Sequence, residues 1–483
     1  MTLSRLRAEW APSVPRELMA GAVATFALIP EVIAFSFVAG VDPSVGLFAS
    51  FVISLVIAFT GGRPAMISAA AGSVALVAAP LVQSHGLPYL LAAGALAGVV
   101  QVLFGLLRLG ALLRFVSASV RTGFVNALAI LIFAAQMPHL LGANGSTWGM
   151  VALGLAIIYL LPRLTTAVPS PLVCIVVLTF VASWFGLPVK TVADLGELPG
   201  ALPTFAWLDV PITLDTLRLI ALPALAIAMV GLLESLMTAS VVDELTDTPS
   251  AKNRECSGLG LANMAASFFG GIAGCGMIGQ TVSNVRYGGR GRLSTLFAGL
   301  FLLILMVLLK PWVSQVPVAA LVAIMAMVSV STFDWGSLRS MVRHPRLSSL
   351  VMVSTVAVTV ATDNLAAGVA VGVMLSGVFF TFKVARLLAV HAEDDAGTGV
   401  RTYRVVGQVF FASADVFVDA FDTLETEGRP VRIDVTQAHF WDVTAVAALD
   451  KVVQRMQKHG STVEVIGLNS ASAVLVDRLG TPK

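Results

Sequence analysis

The sequence predicts an α-helical polytopic membrane protein followed by a small α/β domain, and three observations lead there. Of 483 residues, 57% are hydrophobic and 12% charged, with a mean hydropathy of +0.89. A water-soluble fold of that length could not bury so much apolar surface. Apolar runs of roughly 20 residues, the length that crosses a hydrocarbon core, recur from Glu17 to about Val390. Charge is also segregated, because residues 401–483 hold 19 of the 58 Asp, Glu, Lys and Arg residues. A net charge of +2 gives no reason to expect a nucleic acid as partner.

Reading the runs against their breakers gives about fourteen membrane segments. Their centres fall near Phe26, Val52, Ala75, Ala95, Ala129, Leu155 and Val177, then near Met229, Ala265, Val282, Leu303, Ala323, Val356 and Val373. The first segment runs on through Pro30 to Gly40 without an Ala-x-Ala site, so it reads as a span and not as a cleaved signal peptide. Orientation comes from the basic residues. An amino-terminal tail over 1–16, with Arg5, Arg7 and Arg16, is expected in the cytoplasm. Arg63, Arg108, Arg114, Arg121, Arg163, Lys252 and Arg254 then lie in loops on the same side. So do Arg286, Arg290, Arg292, Arg339, Arg343 and Arg346. The loops expected outside hold Lys190 and Lys310, the asymmetry of the positive-inside rule. The carboxy terminus is then cytoplasmic as well. The Pro- and Asp-rich stretch from Leu187 to Asp215 reads as an outer connection between two halves, with repeats at about 17–187 and 217–391 of a transmembrane domain spanning 17–391.

Two of the segments are broken at matching places. Ile67-Ser68-Ala69-Ala70-Ala71-Gly72-Ser73-Val74 lies in the first half, and the run from Gly270 to Gln280 lies in the second. Gly72 follows Glu31 by 41 positions, and Gly276 follows Glu234 by 42. The charge map sends the two breaks into the membrane from opposite sides, as an inverted repeat requires. Broken helices in such repeats mark the substrate site of secondary transporters, because helix ends are exposed at the midplane. Half-helices starting near Gly72, Ser73 and Val74 and near Gly276, Met277, Ile278, Gly279 and Gln280 would aim free N–H groups and positive dipole ends at one cavity. An anion fits that field. Glu31 and Glu234 fall near mid-helix, where a carboxylate is expensive, and intramembrane carboxylates serve as proton relays. The alternative is a buried carboxylate bonded to backbone amides of the breaks.

Other features point to structure. Gly94-x-x-x-Gly98 and Gly368-x-x-x-Gly372 read as helix contacts, and Gly258-x-Gly260 lacks the strand context of a nucleotide loop. Cys174, Cys256 and Cys275 match no metal or redox spacing and read as small packing residues. No metal or cofactor is expected, and no pairing of nucleophile and base suggests an enzyme. After a polar linker over 392–400, residues 401–483 alternate strand and helix. The pattern runs Tyr403 to Phe411, Ala414 to Leu424, Val431 to Val435, Val443 to His459, Thr462 to Leu468 and Ser470 to Leu479.

Several of these stretches match a known family. Ile29-Pro30-Glu31-Val32-Ile33-Ala34-Phe35, Ala39-Gly40-Val41-Asp42-Pro43 and Gly46-Leu47-Phe48-Ala49-Ser50 resemble the first-helix signature of the sulfate permease family of anion transporters. Asn253-Arg254-Glu255, the run from Gly258 to Asn263, and Phe269-Gly270-Gly271 resemble its second-half signature. The tail, through Arg432-Ile433-Asp434-Val435-Thr436 and Phe440-Trp441-Asp442-Val443-Thr444, resembles the STAS domain, which is similar to bacterial anti-sigma-factor antagonists.

The resemblance implies a bacterial inner-membrane protein with seven plus seven helices in an inverted repeat, as in uracil permease. A core domain built on helices one, three, eight and ten would carry the substrate against a gate domain, by an elevator-type or rocking motion. It implies transport of sulfate, bicarbonate, halides, oxalate or dicarboxylates by proton symport or exchange, often as a homodimer, with the STAS domain open to a cytoplasmic protein partner. A passive anion channel, and a signalling scaffold acting through the STAS domain, are the rival readings. Two departures bear on the choice. Many relatives have an arginine where this chain has Gln280, and animal relatives tend to have glutamine where it has Glu31, which favours a proton as cosubstrate over halide exchange. Val443 stands where regulated STAS proteins have a phosphorylated serine, which excludes that modification there, with Thr444 a weak substitute.

Overall fold

In the computed structural model the apolar runs become helices that stop at glycine and proline, and residues 9–111, 116–165, 170–194, 202–343, 346–394, 399–422 and 426–479 are described. Arg5, Arg7 and Arg114 of the charge map, positions 195–201 of the outer connection and 395–398 of the expected linker lie outside the described residues. The chain forms two compact units, residues 1–373 and 374–483.

Among the described residues the first unit holds fourteen principal helices at the expected segments. In the first repeat these are α1 (Val14–Ala39), α2 (Pro43–Thr60), α3 (Gly72–His85), α4 (Leu87–Leu106), α5 (Ala118–Ala134), α6 (Gly145–Leu164) and α7 (Ser170–Trp184). The second contributes α8 (Leu214–Thr246), α9 (Lys252–Phe268), α10 (Ile278–Arg286), α11 (Arg292–Val313), α12 (Val318–Thr332), α13 (Arg346–Thr362) and α14 (Leu365–Ala385), the last running on into the second unit. Local chemistry sets the ends. Pro43 opens α2, where its missing N–H costs nothing. Gly40 closes α1 at φ 75°, its N–H on the Phe37 carbonyl while the Val41 N–H takes that of Ser36. Asn144 and Thr213 cap α6 and α8 by accepting the N–H groups of Thr147 and Thr216.

Among the described residues, seven helices are long and apolar enough to cross a bilayer, and four more are apolar but shorter. The remaining three are α3 and α10, cut short by the breaks, and α9, whose polar residues face inward. Large apolar side chains such as Phe133, Phe180, Leu222 and Leu308 are exposed on the outside. A bilayer supplies their solvent.

Packing exchanges the two repeats. The α4 helix lies on α9 while its counterpart α11 lies on α2; likewise α4 meets α8 while α11 meets α1, and α5 meets α13 while α12 meets α6. The outcome is a 7+7 inverted repeat sorted into two groups, α1–α4 with α8–α11 and α5–α7 with α12–α14. Within the first group, α4 and α9 approach until backbone meets backbone. A Cβ on Gly98 would stand 2.6 Å from the Gly260 carbonyl oxygen, and one on Gly260 would stand 2.7 Å from the Val102 nitrogen. Gly94 faces Ser267 on the same seam, and Gly368 and Gly372 pack on Thr355 and Thr359 of α13. All four are the helix contacts their spacing suggests.

The second unit is a four-stranded sheet in the order β3 (Ala389–Asp394), β4 (Arg401–Val409), β5 (Val431–Phe440) and β6 (Val463–Ile466). β3 runs antiparallel to β4, and the other two pairs are parallel. Helices α15 (Ala414–Asp419), α16 (Val443–Lys458) and α17 (Ser470–Leu479) complete it, with Tyr403, Phe417, Ile433, Val435, Leu449 and Met456 in the core. The sheet corrects two expectations: residues 389–391 belong to β3 and not to the membrane domain, and 392–394 belong to β3 and not to a linker. Glu393 and Asp394 made the stretch look like a turn, yet they sit on an edge strand, where charge is the usual protection, and meet Arg404 and Arg401.

Because Gly98 faces backbone, Gly98→Val should force α4 and α9 apart and cost about 1–3 kcal/mol or more. A lower thermal midpoint in detergent is expected; an unchanged midpoint would contradict this packing.

Candidate functional site

The two breaks meet. β1 (Ser68–Ala69) and β2 (Cys275–Gly276) pair antiparallel, with Ser68 opposite Gly276 and Ala69 opposite Cys275, and the Met277 N–H extends the pairing to the Ile67 carbonyl at 2.8 Å. Backbone of this kind is tolerated at membrane depth only when protein satisfies it. Neighbouring helices do so with small polar side chains. Asn263 of α9 accepts the Gly274 N–H at 2.8 Å and donates to the Gly274 carbonyl at 3.1 Å, steadied by Gln101 of α4 at 2.9 Å. Ser235 takes the Gly276 N–H at 2.8 Å, and Thr238 donates to the Gly276 carbonyl at 3.0 Å.

Around the other break, Ser50 takes the Ala70 N–H and Ser54 donates to the Ser68 carbonyl. Thr281 takes the Ile67 N–H, and Thr295 and Asn284 donate to the Met66 and Ala65 carbonyls. Sequence reading missed these residues. Their signal was present: Asn263, Asn284 and Gln101 are amides inside helices bound for the membrane.

From the pairing, α3 and α10 start toward one cavity of about 820 Å³. Ala71 and Met277 precede the two helices in extended conformation, and no side chain caps either start among the described residues. The first-turn amides of Gly72 and Ser73 and of Ile278, Gly279 and Gln280 therefore belong to residues lining the cavity. Two helix N-termini so placed give a field that attracts negative charge. A Cβ on Gly279 would meet nothing within 4 Å, so the backbone there is open to a ligand. Gly72 is required for another reason, since a Cβ there would stand 2.6 Å from the Phe35 ring.

Both glutamates line the cavity. Glu31 is half-buried, beside the side chain of Gln280. Glu234 accepts from the Ser73 hydroxyl and, at 3.1 Å, from the Cys275 thiol, so its partners are side chains and not backbone amides. Cys275 thereby does more than fill space. Val74 and Gly276 stand apart from the lining: Val74 is buried in the core, and Gly276 is committed to Ser235 and Thr238. At the mouth stand Thr165, Ser331 and Arg286, the last an exposed cation that sequence reading treated only as a topology anchor.

The Sulfate permease family model matches residues 15–152 and 143–355, and the STAS domain model matches 392–483. This chain belongs to the sulfate permease family. It is similar to YbaR of Bacillus subtilis (strain 168), a protein named provisionally as a sulfate transporter, at 51% identity over 98% of both chains. Among solved structures it resembles the transmembrane domain of the cyanobacterial bicarbonate transporter BicA, with 27% identity, a TM-score of 0.67, and coverage of 73% of this chain and 96% of that one. The murine Slc26a9 anion transporter in its inward-facing state shares the fold at a TM-score of 0.84 and 18% identity, over 97% of this chain and 87% of that one.

Asn263 satisfies two backbone groups at once, so Asn263→Leu would leave both buried and unpaired, at about 1–3 kcal/mol each. The variant should melt well below the parent in detergent, whereas Asn263→Gln should recover part of the loss. Equal stability of the leucine variant would show that the break does not depend on this amide.

Proposed function

We propose that this chain is a secondary transporter that moves a small anion of the sulfate, bicarbonate or dicarboxylate class together with a proton. The observation behind this reading is the shared cavity: the starts of α3 and α10 bring uncapped amides to a space that also holds Glu31 and Glu234. The anion would lie against Gly72, Ser73, Ile278, Gly279 and Gln280, and family relatives named for sulfate and bicarbonate transport fit that chemistry.

The proton follows from charge. Among the described lining residues the carboxylates are Glu31 and Glu234, and the one cation, Arg286, stands at the mouth. An anion beside two ionised carboxylates would be repelled, so uptake of a proton at Glu31 or Glu234 is the condition for binding. The motion is of elevator or rocking type, α1–α4 with α8–α11 moving against α5–α7 with α12–α14. Close glycine seams inside the first group favour its moving as a body, while α1 touches α12 and α3 touches α5 across the boundary. A homodimer in a bacterial plasma membrane with both termini in the cytoplasm completes the proposal, the orientation resting on the arginine-rich loops.

The test is uptake of labelled sulfate, bicarbonate and fumarate into proteoliposomes. An inward gradient of one pH unit supplies about 1.4 kcal/mol, enough for roughly tenfold accumulation by one-to-one symport. Glu31→Gln should abolish the accumulation and leave downhill exchange measurable. Uptake indifferent to the gradient, or unchanged in both Glu31→Gln and Glu234→Gln, would sink the coupling; currents far above carrier turnover would favour a channel.

A further inference from the structure

The Ser73 hydroxyl is shared between two roles. Its backbone N–H belongs to the uncapped first turn of α3, in the cavity lining, while its hydroxyl hydrogen is committed to Oε2 of Glu234. The same carboxylate oxygen takes the Cys275 thiol, and the Ser73 oxygen lies 3.7 Å from the Cys275 sulfur. Ser73 and Cys275 are fully buried and Glu234 nearly so, which leaves this trio few partners besides one another and the cavity. A serine hydroxyl has one hydrogen and two lone pairs, whereas an ionised carboxylate only accepts. While Glu234 is ionised, the Ser73 hydrogen points at it, so the hydroxyl has no hydrogen to offer an anion at the start of α3.

We infer that Ser73 is the residue through which the protonation state of Glu234 is read by the transported anion. When a proton binds Glu234, the carboxylic O–H donates to the Ser73 oxygen, and the hydroxyl hydrogen of Ser73 turns to the cavity. The anion then receives two donors from one residue, the N–H and the O–H of Ser73. The alternative acceptor for that hydrogen, the Cys275 sulfur, is weak beside an anion. One proton is taken up, no covalent bond is exchanged, and return of the proton restores the starting arrangement.

The surroundings leave Glu234 as the group that sets the hydroxyl. From β2 its titratable neighbour is Cys275, and from α1 it is Glu31, which lies beside Gln280. α3 and α10 bring the neutral Ser73 and Gln280 to the cavity, and α4 lays the neutral Gln101 against Gly231, one turn before Glu234. α9 contributes Asn263, which is spent on Gly274, and Arg286 stands at the mouth.

This inference rests on the anion–proton reading above, and equilibrium binding separates the two. Labelled sulfate, which stays fully ionised, and labelled fumarate would be titrated onto the full-length protein in nanodiscs between pH 5.5 and 8.5. The parent should bind more tightly as pH falls. Ser73→Ala should bind roughly tenfold or more weakly at the acid end and lose the share of the pH dependence that the hydroxyl carries, since a hydrogen bond to a charged partner is gone while the carboxylate repulsion stays. Ser73→Thr should restore both. Glu234→Gln, whose amide donates permanently to Ser73, should bind more tightly than the parent at the alkaline end. The inference is overturned if Ser73→Ala keeps the full pH dependence, or if Glu234→Gln binds like the parent at high pH. Cys275→Ala removes a donor to the ionised Glu234 but no donor to the anion, so it should move the pH dependence to higher pH and keep its size. No binding of either anion by the parent at any pH would overturn the transport reading itself, and this one with it.

Discussion

Everything at the centre of this molecule depends on two stretches of extended backbone that cross where a membrane protein can least tolerate them. Peptide groups without partners in hydrocarbon cost several kcal/mol each, which is why spanning segments are normally unbroken helices. Here residues 65–70 and 274–277 leave helical geometry and pair with one another. The amide and carbonyl groups left over are taken by Asn263, Ser235, Thr238, Ser50, Ser54, Thr281, Thr295 and Asn284. These side chains come from α2, α8, α9, α10 and α11, so the first helix group must be assembled for the breaks to exist. The breaks, in turn, leave α3 and α10 with free starts.

That dependence explains why the glycines are where they are. Gln101 of α4 can steady Asn263 because α9 lies close against α4, and the closeness requires Gly98 and Gly260. Gly274 and Gly72 serve the next level: one lets the two strands approach, the other lets the Phe35 ring lie over the start of α3. Each close contact is a steric permission, and removing one would be felt at the cavity through a short chain of packed backbone. The second helix group carries fewer such constraints, as suits the wall past which the proposed carrier would move.

Much of this was legible in the sequence, and the reasons are specific. Helix positions followed from apolar runs and the charged loops between them, and the breaks followed from their matched spacing after Glu31 and Glu234. The side-chain partners of the breaks were not legible. A serine or threonine in an apolar helix usually bonds its own preceding turn, as Ser36 does to Val32, and spacing does not distinguish that habit from the longer reach of Ser54 to Ser68. Strand β3 escaped because its run ends in Glu393 and Asp394, a pattern shared by edge strands and linkers. The roles of Val74 and Gly276 were misjudged for a related reason: proximity to a helix start in sequence does not say which residues face the cavity.

The cavity's charge content binds these levels together. Gln280 at the start of α10 is neutral and lies beside Glu31, so this helix start carries no fixed cation. The attraction left to a ligand anion comes from helix ends, each equivalent to about half a unit charge. Against that stand Glu31 and Glu234. Two half charges cannot offset two whole ones and an incoming anion, so a protein built this way must neutralise a carboxylate before it can hold its ligand. On the proposed reading proton coupling is therefore no addition to the binding site. It follows from a cavity that has an amide at the start of α10 and keeps both acids, and Ser73 lies where a change in protonation would first reach the anion.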